Sequence, residues 1–155
     1  MATDEQVTRQ QDAFPWTPPS TKSTKRREPE TRDPRYRFVS KRGADFDRQL
    51  WFVNHSDETL PRVAFSGGGF QTVDDEVMEV GSKERVYTDV APEEAVLAET
   101  FHVMLDSDFR LRTNADIKTN AGERFRLLTL PKRGGLKGMV LMWETGEPAK
   151  RVRKK

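Results

Sequence analysis

Phe101-His102-Val103-Met104-Leu105-Asp106-Ser107-Asp108-Phe109-Arg110-Leu111-Arg112 decides the fold class. Its strongly apolar residues recur at every second position, first Phe101, Val103 and Leu105, then Phe109 and Leu111. A helix would space them by three and four; a spacing of two is that of a half-buried strand. The same alternation sets Thr100, His102 and Met104 on the opposite face. Asp106-Ser107-Asp108, between the two apolar sets, reads as a hairpin turn, because such side chains bond nearby backbone groups.

Working outward, Phe125-Arg126-Leu127 continues the period of two. Leu50-Trp51-Phe52-Val53 and Met139-Val140-Leu141-Met142-Trp143 are apolar on both faces, which predicts strands lying deep in a sheet. Turn-forming clusters separate these runs at Asn54-His55-Ser56-Asp57, Ser66-Gly67-Gly68-Gly69, Gly81-Ser82-Lys83, Asn120-Ala121-Gly122 and Lys132-Arg133-Gly134-Gly135. Strands are therefore expected at 35–39, 49–54, 60–66, 69–73, 84–90, 95–105, 109–113, 124–130 and 138–144. Only Asp74 to Val80 and Pro92 to Glu99 are able to pass for helix. The expected fold is all-β: an antiparallel β-sandwich, immunoglobulin-like in general architecture, with a small β-barrel as the alternative.

The chain is 155 residues long, about one domain. Its composition is uneven. Residues 1–48 hold 11 residues of the AVILMFWYC set, whereas residues 49–147 hold 40. Five of the nine prolines fall in the first segment, together with the polar run Ser20 to Asp33. The sequence thus predicts a disordered, proline-rich leader over 1–34, a folded domain over 35–147 and a basic tail over 148–155. Charge follows the same division. The leader to residue 48 has 11 basic and 8 acidic residues, the middle 11 and 17, and the last eight residues 5 and none. An acidic body lies between two basic arms. Arg35 and Arg37, alternating with Tyr36 and Phe38, suggest a charged edge strand that discourages further pairing.

Candidate chemistry is sparse. With no cysteine there is no disulfide, thiolate metal site or thiol nucleophile. The two histidines, His55 and His102, read as surface residues, and no G-x-S-x-G elbow supports a hydrolase built on Ser56 or Ser66. The carboxylates Asp74-Asp75-Glu76, Glu93-Glu94 and Asp106/Asp108 lack the spacing of a calcium loop. The triple glycine at 67–69 has no phosphate-loop context and reads as a flexible connection between strands. Trp51 and Trp143, inside continuous apolar runs, read as buried rather than as a sugar platform.

Two features suggest binding. Phe14 and Trp16 stand among prolines in an otherwise polar leader, where they either anchor in a partner's groove or cover an apolar spot on the protein's own core. Lys150, Arg151, Arg153, Lys154 and Lys155 form either a solvated tail or a point of attachment for a polyanion. The expected function is that of a small, cofactor-free, non-enzymatic binding module, cytoplasmic, with a protein partner. The alternative is a nucleic-acid-associated protein that uses its basic arms, binding weakly and without sequence preference. A hydrolase or metal-binding domain is a more remote option, and no membrane span is expected.

Overall fold

The structure is a computed structural model that describes residues 8–16, 33–42, 47–73, 76–81, 85–102, 110–129, 132–133, 138–149 and 152–154. Side-chain contacts are described for 8–16, 33–42, 48–66, 85–100, 113–129, 138–149 and 152–154. The described residues form twelve strands: β1 (Arg9–Gln11), β2 (Pro34–Arg42), β3 (Asp47–Asn54), β4 (Leu60–Val73), β5 (Glu76–Gly81), β6 (Arg85–Val90), β7 (Glu94–His102), β8 (Arg110–Lys118), β9 (Arg124–Thr129), β10 (Lys132–Arg133), β11 (Met139–Trp143) and β12 (Val152–Lys154). They form two antiparallel sheets packed as a β-sandwich. The first runs β1-β7-β3-β2-β11; the second runs β12-β9-β8-β4-β5, with β6 also on β4 and β10 on β8. Among the described residues no ladder joins the two sheets, so the barrel alternative is not formed. No described helix is long and apolar enough to cross a membrane.

Alternation builds the core. On β2, β3 and β4 the inward residues Tyr36, Phe38, Leu50, Phe52, Val63 and Phe65 are fully buried, together with Ile117 and Leu127 from the second sheet. Phe52 lies at their centre, with ring centroids 5.4 Å from Phe65, 5.6 Å from Tyr36 and 6.4 Å from Phe38. Because Phe52 belongs to one sheet and Phe65 to the other, this aromatic group joins the two layers. Burial pushes the Tyr36 hydroxyl up to about 12, against a smaller lowering by Arg35. Its oxygen has no hydrogen-bond partner among the described residues.

Several sequence expectations are corrected by pairing. β2 is internal rather than an edge, because β3 takes one side and β11 the other. β4 continues through Gly67–Gly69, where β8 pairs with all three glycines on one edge and β5 with Gly68 and Gly69 on the other; this pairing holds extended a backbone that glycine alone leaves free. The two possible helices are β5 and β7, for the same reason. β11 ends its sheet instead of lying deep within it. Leu141 and Met142 are nevertheless fully buried, since Pro148 bridges to Met142 and the Ala149 amide donates to the Leu141 carbonyl. The chain turns back at Gly146, whose φ of +89° favours glycine, and crosses into the second sheet as β12. The side chains of Phe101 to Leu111, on which the strand pattern is clearest, lie outside those described.

Replacing Phe52 with alanine is expected to cost about 3–5 kcal/mol in denaturant unfolding. Tyr36→Phe removes an unpartnered hydroxyl and is expected to leave stability unchanged or raise it by up to about 1 kcal/mol. A clear loss in the second variant would mean that the hydroxyl has a partner.

Candidate functional site

The leader residues 8–16 lie on the domain. β1 pairs with β7 through Arg9↔Val96, Gln10↔Ala95 and Gln11↔Glu94, and the Leu97 amide donates to the Thr8 carbonyl. Arg9 then crosses to the second sheet, where it donates to the Thr88 carbonyl at 2.6 Å and lies over the Tyr87 ring. For residues 8–16, backbone pairing and partly buried rings supply what the composition lacks. Residues 1–7 and 17–32 lie outside those described.

Phe14 and Trp16 take the second of their two expected uses and pack on the protein's own sheet. Trp51, Val53, Ala95 and Leu97 form a small apolar cluster on the outer face of the first sheet. Phe14 covers it, with its ring 5.9 Å from that of Trp51, and Trp16 meets Trp143 edge-on at 6.5 Å. The Arg37 guanidinium fastens the segment. It donates to the Phe14 carbonyl at 2.6 Å and the Pro15 carbonyl at 3.1 Å, and lies 5.5 Å from the Trp16 ring centre. Arg37 is thus partly buried beneath the leader.

Arg37 also reaches His55. Its Nε donates to His55 Nε2 at 2.7 Å, so the ring proton resides on Nδ1 and is donated to Glu93 Oε2 at 2.6 Å. The imidazole is only 4% exposed, which corrects the expectation of a surface residue. Burial lowers its pKa from 6.5, Glu93 opposes that shift, and Arg37 adds to it. Glu93 is held in the left-handed region at φ 62°. Its amide donates to the Asn54 carbonyl and its carbonyl accepts from the Asp12 amide, tying this turn to both neighbours. Asn54, fully buried, donates from Nδ2 toward the carbonyls of Glu58, Val90 and Ala91 and accepts from Ser56.

This geometry disfavours acid-base work at His55. The nitrogen that would take a proton from a nucleophile is occupied by Arg37, and the Ser56 hydroxyl bonds Asn54 and the Glu58 carbonyl instead. The shallow cleft beside it, about 420 Å³ and lined by Asp33, Arg35, His55, Asp57, Glu58 and Glu144, lies at the acidic loop end of the sandwich. Among the described residues no three metal-ligating groups converge. The side chain of His102 is not among those described.

The outer face of the second sheet is different in character. Alternation that buries Val63, Phe65, Ala115, Ile117, Phe125, Leu127 and Val152 turns Arg62, Ala64, Ser66, Asn114, Asp116, Lys118, Arg124, Arg126, Leu128 and Arg153 outward. A depression of about 350 Å³ lies over Ala64, Ser66, Asn114 and Leu128, bordered by Arg62, Arg124 and Arg126. Asp116 accepts two bonds from Arg124, at 2.6 and 2.9 Å, and is 3.5 Å from Arg126. The Arg124 bonds, more than the others, hold the Asp116 carboxyl below the usual carboxylate range.

Of the tail cations, Arg153 and Lys154 are not on a free arm. β12 pairs with β9 through Val152↔Thr129, Arg153↔Leu128 and Lys154↔Leu127, because Val152 and Ala149 are buried. Lys154 lies over the Phe125 ring and donates to the Gly146 carbonyl. Lys150, Arg151 and Lys155 lie outside the described residues. The signal missed in the sequence was Ala149 and Val152, two small apolar residues among the charges.

Substituting both Phe14 and Trp16 with alanine is expected to destabilise the whole domain by about 2–4 kcal/mol, read by denaturant melts. An unchanged midpoint would mean that the leader is not part of the folded unit. His55 adds a pH dependence. Its folded-state pKa is depressed, so below about 6.5 the unfolded chain takes up a proton that the folded chain refuses. Its contribution is full above that pH and declines as pH falls toward the folded value. His55→Gln is expected to flatten the fall in melting temperature between pH 7 and 5. Comparison with family models, with curated proteins and with solved structures finds no match for this chain.

Proposed function

We propose that the protein is a binding module that works by surface contact, and that its working surface is the outer face of β9, β8, β4 and β6. The observation that carries this reading is the unequal treatment of the two outer faces. The apolar patch on the first sheet, at Trp51, Val53 and Leu97, is covered by the protein's own leader. The second sheet instead presents an open depression with Ala64 and Leu128 at its floor and arginines at its border; Val86, opposite Ala64 on β6, is 46% exposed. A small apolar centre within a polar, arginine-rich rim is the usual anatomy of a contact surface. Such a surface needs no cofactor.

The test is recovery of native partners by the full chain in three forms. Val86→Glu with Arg126→Glu, both on this face, is expected to reduce recovery of a specific partner at least about tenfold. Asp57→Lys, at the loop end, is expected to leave it unchanged. A partner recovered equally by all three forms would move the working surface elsewhere.

A further inference from the structure

Arg62, Lys118 and Arg124 stand abreast on the open face of the second sheet. Lys118 is directly opposite Arg124 on one side and directly opposite Arg62 on the other. Directly opposed cross-strand side chains have Cβ atoms about 5 Å apart, and like charges at such positions destabilise a sheet. Arg124 is offset by its two bonds to Asp116 and Arg62 is not without a partner, so the row concentrates positive charge on one face without leaving three unpaired cations. The next row adds Arg126, and Arg153 lies beyond it opposite Leu128 on β12. The acid within these rows among the described residues, Asp116, is already held between Arg124 and Arg126.

Carboxylates collect elsewhere. Asp33, Asp57, Glu58 and Glu144 line the cleft at the loop end, and Glu93 and Glu94 follow β6. Among the described residues, cations thus predominate on this sheet face and carboxylates in the loop-end cleft, with Asp116 and Arg35 as the exceptions. Separation of this kind orients an approaching polyion before contact.

We propose that this face binds the phosphodiester backbone of a nucleic acid, with Arg62, Lys118, Arg124, Arg126 and Arg153 as the contacting cations. The inference rests on the reading of this face as the working surface. Four of the five cations are arginines, whose planar forks match phosphate oxygens two at a time. A pleated, open face suits an extended polymer better than a compact anion, since it does not enclose its ligand. None of the outward positions named on this face is aromatic, so recognition is of the backbone and is indifferent to base sequence.

Fluorescence anisotropy of the full chain tests this, using a labelled 20-nucleotide single strand and the corresponding 20-base-pair duplex between 50 and 250 mM salt. Binding of either form is expected, with a Kd of about 1–100 µM at physiological salt. If all five cations engage a single strand, log K falls with log salt with a slope of about −3.5. Arg62→Gln with Lys118→Gln is expected to flatten that slope by about 1.4, equally for different sequences. Asp116→Asn releases Arg124 and removes the opposing charge, and is expected to tighten binding and steepen the slope. This second variant keeps the test decisive should the first fail to fold.

Several results overturn the proposal. These are absence of binding at 50 mM salt, a wild-type slope in the double variant, or poly-glutamate competing as well as the oligonucleotide. Binding abolished by Lys150→Gln, Arg151→Gln and Lys155→Gln but unaffected by the face variants would overturn it in favour of the tail. If Val86→Glu with Arg126→Glu loses a native partner while the wild type binds no oligonucleotide, the nucleic-acid assignment fails and the working surface stands.

Discussion

The contact between Phe52 and Phe65, ring centres 5.4 Å apart, joins the two layers of this protein. Each ring projects inward from a strand that is paired on both sides, β3 between β7 and β2, and β4 between β8 and β6. Tyr36 and Phe38 add to it from the first sheet, and Tyr87 from the second. With the inner faces committed to this packing, alternation leaves each strand's other side chains on an outer face. The character of those outer faces then follows residue by residue.

On the first sheet the outer face came out apolar, and the protein covers it with its own chain. Trp51 would be a large exposed ring on a bare sheet; beneath Phe14 it is 1% exposed. Arg37 serves this closure by turning a guanidinium toward two leader carbonyls, and His55 and Glu93 hold that guanidinium from behind. A neutral histidine is required there, since a protonated ring would offer Arg37 no acceptor and would repel it. The leader, the β2 arginine and the turn after β6 therefore form one polar network laid over one apolar cluster.

On the second sheet the outer face came out basic, with like charges aligned across strands. No tertiary segment among the described residues covers it, and β12 extends it by one cation instead of ending it. The sandwich thus covers one outer face with its own leader, while no described segment covers the other. The acidic loops at its end add a polarity that a uniformly mixed surface lacks.

The sequence by itself determined the all-β class and most of the central strands, because a period of two is a local property written in adjacent residues such as Phe125-Arg126-Leu127. Which face of Leu50-Trp51-Phe52-Val53 enters the core was not legible, since that run is apolar on both sides and only packing divides it into Leu50 and Phe52 inside and Trp51 and Val53 beneath the leader. Tertiary structure decided the rest. Whether Arg9 to Gln11 and Val152 to Lys154 are strands depends on β7 and β9 offering free edges, and those edges exist only in the assembled sheets. Gly67–Gly69 is extended for a similar reason, held by β8 throughout and by β5 at Gly68 and Gly69. His55 is buried by Arg37 and Glu93, which approach from positions 18 and 38 residues away. The alignment of Arg62, Lys118 and Arg124 is a matter of register between three strands, and register is fixed by pairing across the sheet, not by neighbours along the chain.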